Sequence, residues 1–343
     1  MPHMPVNELK EGDRVDQVFL VRECRFLTTR KGQLFAAMRL GDATGVIAGI
    51  YWDLGEDAAQ VLRKARYVRI QGLVGTYQNA PQVIVDSLEE AEISAEEARE
   101  MLPSTQSDVD ELFERMAAIM GTIQHAHLRA FAGAILDDDE LARAFRNAPA
   151  ATQMHHACIG GLIEHTLSMA EAALKLCEHY TALNRDLLLV GVLIHDIGKV
   201  REFSYDEAIE YSDAGRLVGH VAIGISLVEQ KARSIEGFPP RLLDLLKHYI
   251  LSHHGVPEFG AIRSPMTAEA LALHYIDNLD AKLAAFAGAV ADPAAEGSNW
   301  TPYQRMFESY LYKGDPFAAA GSDGNESADQ EAADEADEEA SLF

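Results

Sequence analysis

The chain changes its hydrophobic period once. Up to Leu88 the apolar residues fall in short runs rich in Val, Phe and Leu, and beyond Asp108 they recur at helical spacing almost to the end. A chain patterned in this way is multidomain, with a β unit ahead of an α unit. Strands are expected over 16–29, 34–40, 46–52, 67–77 and 83–88. They are punctuated by turns at Arg30-Lys31-Gly32-Gln33, at Gly41-Asp42-Ala43-Thr44-Gly45 and at Asn79-Ala80-Pro81. Between the third and fourth strands, Leu54, Ala58, Val61 and Leu62 keep helical spacing over 54–65. Five strands with a helix after the third is the layout of an OB-fold barrel, a frequent binder of single-stranded nucleic acid, and closing the barrel hides its sheet edges.

This barrel is expected over residues 1–88, followed by an acidic linker over 89–106, an all-α domain over 107–317 and an acidic disordered tail over 318–343. Helices are expected over 108–123, 126–136, 140–147, 162–180, 185–197, 218–236, 241–252 and 267–289. Ser107 with Asp110, and Thr267 with Glu269, are start signals, and Gly198 is a stop.

The net charge is −25, and from Asp323 to Glu339 there are nine carboxylates with no Lys or Arg. Removing them still leaves about −16, which argues against gripping duplex nucleic acid through many phosphate contacts. The segment 1–88 holds eleven Lys and Arg against ten Asp and Glu, so single-strand binding stays open there. Cys24, Cys158 and Cys177 are odd in number and form no CxxC pair, so neither a disulfide framework nor a cysteine zinc site is indicated. Residues 1–14 hold no apolar core of the kind a signal peptide needs. The longest apolar run, Leu187 to Ile194, is far short of the roughly 20 residues of a membrane span. The expected location is the cytoplasm.

The candidates for chemistry are His165, His195 with Asp196, His220, His253 with His254, and Asp277. His195-Asp196 ends the apolar run, so two polar side chains appear where a buried segment meets a break and need partners. Imidazole with carboxylate suits Mn, Fe, Co, Ni or Zn better than Ca or Mg, and one carboxylate can bridge two ions that share a phosphate.

The order His165, His195-Asp196, Asp277 resembles the HD superfamily. The stretches His155-His156-Ala157-Cys158-Ile159-Gly160-Gly161-Leu162-Ile163-Glu164-His165 and His274-Tyr275-Ile276-Asp277-Asn278-Leu279-Asp280-Ala281-Lys282 resemble the YhaM family of 3′-to-5′ exoribonucleases. That resemblance implies an OB-fold followed by an HD domain, dependence on a manganese-type divalent metal, and trimming of single-stranded RNA or DNA. It implies one ion on His165, His195, Asp196 and Asp277, and a second on Asp196, His220 and His253, with His254 a further ligand or a phosphate donor. Lys199, close behind Asp196, would contact substrate phosphate, and Asp196 would be catalytic as the bridge. The acidic tail has no counterpart in this resemblance.

Simpler readings stand beside these. For His220, His253 and His254 the simpler reading is core or surface histidines, with metal or phosphate contact favoured over it, while Lys199 reads equally as a cation at a helix end. His155 and His156 reach a site from a loop or are structural, with His156 the substrate-binding candidate. His274 shares a face with Asp277 and either supports a ligand or simply packs. His125 and His127 are poor joint ligands. Phe26, Phe35, Tyr51, Trp52 and Tyr77 are stacking surfaces or barrel core. Arg63-Lys64-Ala65-Arg66 binds a nucleic-acid backbone or is a solvated helix end. The rival functions are a small-nucleotide phosphohydrolase, cyclic or triphosphate, and a non-catalytic nucleic-acid-binding module. Homo-oligomerisation is a further expectation.

Overall fold

In the computed structural model, the described residues are 3–29, 32–52, 54–77, 80–152, 157–205, 208–291 and 298–314. Two compact units emerge, 1–288 and 289–343. His155 and His156, the turn residues Arg30, Lys31 and Asn79, and the acidic tail lie outside the described residues.

The first unit opens with β1 (Arg14–Thr28), β2 (Leu34–Gly41), β3 (Val46–Tyr51), α1 (Glu56–Lys64), β4 (Tyr67–Tyr77) and β5 (Ala80–Glu90). The strands close in the order β1-β2-β3-β5-β4. The closing pair, β3 with β5, is parallel (Ala48 beside Gln82, Ile50 beside Ile84), and its neighbours are antiparallel. With a helix between the third and fourth strands, this is the OB topology. Alternation along β2 shows why it closes: Ala36, Met38 and Leu40 point inward and are buried, while Phe35, Ala37 and Arg39 face outward.

Two irregularities shape the barrel. On β1, Val21 pairs with Leu40 and Glu23 with Arg39, so Arg22 is the extra residue of a β-bulge and its side chain is re-aimed. The register also shifts at Gly72, where an added Cβ would stand 2.3 Å from the Ile84 carbonyl oxygen.

Next comes α2 (Ala95–Glu100), within the stretch expected to be a linker. Its start carries a full capping box, Ser94 with Glu97. Leu102 and Ala98 bury against Leu20 and Tyr67 of the barrel, with Ile159 and Tyr205 of the helical region packed on the same cluster.

The helices that follow are α3 (Val109–Gly121), α4 (Ala126–Leu136), α5 (Asp139–Asn147), α6 (Gly161–His179) and α7 (Arg185–Ile194). Then come α8 (Lys199–Glu202), a two-stranded ribbon of β6 (Phe203–Ser204) and β7 (Glu210–Tyr211), α9 (Asp213–Arg233), α10 (Pro240–Ser252) and α11 (Ala268–Ala291). One apolar core joins α3 to α7 with α9, α10 and α11, and α7 contributes almost its whole surface, from Leu188 to Ile194. A helix buried on all sides needs no polar face, which is why its sequence is a continuous apolar run. No helix among the described residues is long and apolar enough to cross a membrane. In the second unit, 298–314 folds back on itself through bridges of Trp300 with Tyr312 and Gln304 with Ser309.

Several local expectations are corrected. The cap of α3 is Asp108, whose carboxylate accepts from the amides of Asp110 and Glu111, whereas the Ser107 hydroxyl donates to Glu164. α9 is capped by Ser212 and breaks at a kink at Gly219, whose φ of 76° and ψ of 156° are not helical, so the helix expected from 218 is the part after the kink and a shorter helical segment from Asp213 precedes it. Helix α7 stops at Ile194, and Gly198 is not a left-handed stop: its φ is −64°. It is needed because α9 passes so close that an added Cβ would stand 1.9 Å from the His220 carbonyl oxygen.

Gly198→Ala is therefore expected to destabilise the protein by about 2 kcal/mol and to lower Tm by several degrees. Gly121→Ala at the end of α3, where an added Cβ meets nothing within 4 Å, should leave Tm nearly unchanged. Equal Tm values for the two variants in a thermal melt would refute this account.

Candidate metal centre

Six helix ends or faces deliver the polar side chains. His165 comes from α6, His195 and Asp196 from the end of α7, Lys199 from the start of α8, His220 from α9, His253 and His254 from the end of α10, and Asp277 from α11. All seven candidate ligands come together. His165, His195 and Asp277 form one group and His220, His253 and His254 another, with Asp196 between them. Asp196 Oδ2 lies 3.3 Å from His195 Nε2, and its Oδ1 lies 3.6 Å from both His220 Nε2 and His253 Nε2.

The protonation pattern of the imidazoles is fixed from outside the site. His195 Nδ1 donates to the Val192 carbonyl and His253 Nδ1 to the Ile250 carbonyl, each at 2.8 Å. His165 Nδ1 donates to Asp280 at 2.7 Å, and His220 Nδ1 to Glu202 at 3.0 Å. Four Nδ1–H groups thus point outward to oxygen acceptors, which leaves four Nε2 lone pairs facing inward. These nitrogens crowd one another: His195 and His165 Nε2 are 3.4 Å apart, and His220 and His254 Nε2 are 3.2 Å apart. Asp196 Oδ1 and His253 Nε2 are buried without a hydrogen-bond partner among the described residues. Inward lone pairs, an orphaned carboxylate oxygen and an orphaned imidazole nitrogen form a donor set that a cation satisfies, and nitrogen with oxygen donors fits a divalent transition metal.

The electrostatics agree. Burial opposes charge on Asp196, but Lys199, 2.6 Å away, and His195 outweigh it and hold the carboxylate well below its usual range. Burial also opposes charge on Asp277, which is likewise pulled down by its hydrogen bond with His165 and by His195. Burial and the neighbouring His253 push His254 down to about 3, so its ring is neutral and able to ligate. His165 is the exception: burial alone would lower it, but its bonds to Asp277 (3.3 Å) and Asp280 raise it to about 9, so its Nε2 carries a proton toward Asp277 that an incoming cation would displace. Lys199 is raised by Asp196 against the effect of burial. It is the first residue of α8 and forms an ion pair with that buried carboxylate, beyond any role as a helix-end cation.

Sequence reasoning missed two supports. Asp280 accepts from both His165 and Ser168, and its only signal is its position one turn after Asp277. Glu202 is buried and accepts from the His220 ring and from the His220 amide, with no spacing to announce it. His274 donates to the His253 carbonyl at 2.8 Å and so steadies the end of α10. Its ring leaves no room for a side chain at Gly255, whose φ is 79°. His125 caps α4 and takes no part in the centre.

In the barrel, Phe35 and Trp52 pack ring to ring at 4.8 Å, with Trp52 49% and Tyr77 62% exposed. Phe26 and Tyr51 lean on the barrel core, with Arg63 over the Phe26 ring.

Fold and site together define an HD-domain protein preceded by an OB-type barrel, and the HD domain family matches residues 162–282. Curated relatives narrow this further. The 3′-5′ exoribonuclease YhaM of Geobacillus sp. (strain WCH70) is 33% identical over 273 residues, covering 79% of this chain and 83% of the relative. That of Bacillus subtilis (strain 168) is 30% identical over 276 residues, covering 79% and 86%. The chain belongs to the YhaM 3′-to-5′ exoribonuclease family. Among solved structures, the second OB-fold domain of replication protein A from Methanococcus maripaludis aligns with 26% of this chain and 96% of its own, at 21% identity and a TM-score of 0.22.

If this centre holds a divalent ion such as manganese, Asp280→Asn and Glu202→Gln should each weaken its binding by about 10- to 100-fold, because each loosens an imidazole that faces the candidate centre. Manganese titration followed by electron paramagnetic resonance reads this directly. Wild-type affinity in either variant would remove that carboxylate from the centre.

Proposed function

We propose that this chain is a metal-dependent 3′-to-5′ exoribonuclease that hydrolyses phosphodiester bonds of single-stranded RNA. The observation that carries this reading is the buried Asp196 shared by two histidine groups, in a chain that also carries an OB barrel with exposed aromatic rings. One ion would sit on His165, His195, Asp196 and Asp277 and a second on Asp196, His220, His253 and His254, with manganese first among Mn, Fe, Co, Ni and Zn. Bound divalent ions there would neutralise the phosphodiester charge and lower the pKa of a bound water toward about 7.

The chain's own residues do the rest. Asp196 holds the two halves of the centre in register. Lys199 keeps its charge beside Asp196 and presents a fixed cation to the phosphate. Asp280 and Glu202 stop the ligating rings from turning. Trp52, stacked on Phe35, offers a base a ring face at the barrel. We assign residues 1–88 to strand binding, 89–106 to the linker and 107–317 to the HD domain, in a cytoplasmic enzyme. Leu271, Tyr275, Leu279 and Leu283 form an exposed apolar stripe on α11, which supports homo-oligomerisation.

With manganese, the purified protein is expected to shorten a 5′-labelled single-stranded oligoribonucleotide stepwise from its 3′ end. Asp196→Ala should slow this by more than about 100-fold. A single-stranded DNA of the same sequence and a cyclic dinucleotide serve as comparison substrates. Hydrolysis of the cyclic dinucleotide with the RNA left intact would replace this reading by that of a small-nucleotide phosphohydrolase.

A further inference from the structure

Between the barrel and the helical domain lies a cleft of about 980 Å³ whose charge is opposite to that of the chain as a whole. Six of the eleven basic residues of 1–88 line it, and Arg216 of α9 joins them from the far wall, against Glu23 and Glu210 as the acids among the described lining residues. Three of the seven cations are committed locally: Arg25 to Glu23, Arg63 to Glu56 and Arg66 to Glu210 across the cleft. Arg22, Arg39, Lys64 and Arg216 form no ion pair among the described residues, and all four are exposed.

Arg22 is set there by the bulge in β1. Its side chain lies over Gly41, where an added Cβ would stand 2.6 Å from Nε, and it donates to the Asp42 carbonyl. Desolvation, and then the charge of Arg39, press its guanidinium below the usual pKa. The charge of Asp42 offsets this only in part, so holding these like charges together is unfavourable for the folded chain alone and becomes favourable when a polyanion lies between them.

We infer that this cleft binds the phosphate backbone of a single RNA strand, with Arg22, Arg39, Lys64 and Arg216 as the contacts. The inference rests on the exoribonuclease reading and adds a path to it. Arg39 faces outward on β2 like Phe35, four residues away, so by strand rise about 13 Å separates the basic cleft from the Phe35–Trp52 rings on one continuous face. At its other wall, Arg216 lies in the segment of α9 that leads into the kink at Gly219, directly after which comes His220, and Glu210 belongs to the ribbon that follows directly on Glu202. The cleft therefore connects the stacking face of the barrel to the segment that supplies the metal centre. These four are positioning residues, which hold the strand and leave the chemistry to the centre.

The test uses the full chain carrying Arg39→Glu with Arg216→Glu, one from each wall, and Arg241→Glu at the exposed start of α10 as a charge-matched control. Fluorescence anisotropy with a single-stranded 20-nucleotide RNA is read as a function of salt, beside the KM for trimming and manganese-dependent turnover of bis(p-nitrophenyl) phosphate, which is too small to occupy the cleft. The double variant is expected to bind RNA at least 10-fold more weakly and to raise KM. Its log Kd against log salt should flatten by about 0.7 for each phosphate no longer neutralised. Turnover of the small diester and the behaviour of Arg241→Glu should match the wild type. Unchanged RNA affinity in the double variant, or an equal weakening in Arg241→Glu, overturns the cleft while leaving the exoribonuclease reading intact. A wild type that binds RNA through these arginines but does not trim it overturns the activity and keeps the cleft.

Discussion

The structure depends on keeping one carboxylate ionised where solvent is excluded. Asp196 is 3% exposed, and taking such a group out of water costs several kcal/mol unless charge and hydrogen bonds compensate. Lys199 supplies the charge on one side, while Oδ1 on the other has no hydrogen-bond partner among the described residues. The compensation built into the chain is thus half complete, and a divalent cation completes it. Metal binding and folding are then linked: a ligand held only by the folded state stabilises it by roughly 2.7 kcal/mol at 100 times its Kd. The all-round burial of α7 follows from the same demand, since it must carry His195 and Asp196 into the interior at its end.

The two histidine groups are built by one local device used twice. α7 and α10 both end in a histidine whose Nδ1–H turns back to the carbonyl three residues earlier, Val192 and Ile250. Carbonyls in the last turn of a helix carry partial negative charge and lack intrahelical partners, so an imidazole N–H satisfies one of them. The same bond fixes the tautomer and sends Nε2 inward. The other two rings, on the face of α6 and just after the kink in α9, turn to a carboxylate instead: half-buried Asp280 for His165 and buried Glu202 for His220. Backbone carbonyls and carboxylates therefore turn Nδ1 outward by different means.

This division explains what can be read from the sequence. The strands and most helices are legible because burial on one face imposes a period, and His195-Asp196 stands out because it interrupts an apolar run. His165 and Asp277 follow from their order in the chain. Asp280 and Glu202 are not legible, because their meaning lies in a partner 115 and 18 residues away. Gly198 misleads for a related reason. A glycine after a helix signals a stop, but here it is the approach of α9 that excludes a side chain, and sequence neighbours do not encode that approach. The bulge at Arg22 and the ribbon of β6 and β7 escape notice because each is a matter of pairing register over very few residues.

A protein with a net charge of −25 must still draw in a polyanion, and the distribution of charge shows how. At physiological salt the Debye length is about 8 Å, so a strand responds mainly to the charges it is close to. An acidic surface repels a duplex that could lie anywhere on it, while a cleft lined by arginines attracts a flexible strand that can enter it. Most of the acid of the chain lies after residue 88, including the nine carboxylates between Asp323 and Glu339, so the near-neutral barrel is the region where the repulsion is weakest. The positive charge that a divalent ion would bring to the candidate metal centre, and the four cleft cations without ion-pair partners among the described residues, then mark the two ends of the proposed route through an otherwise repulsive molecule.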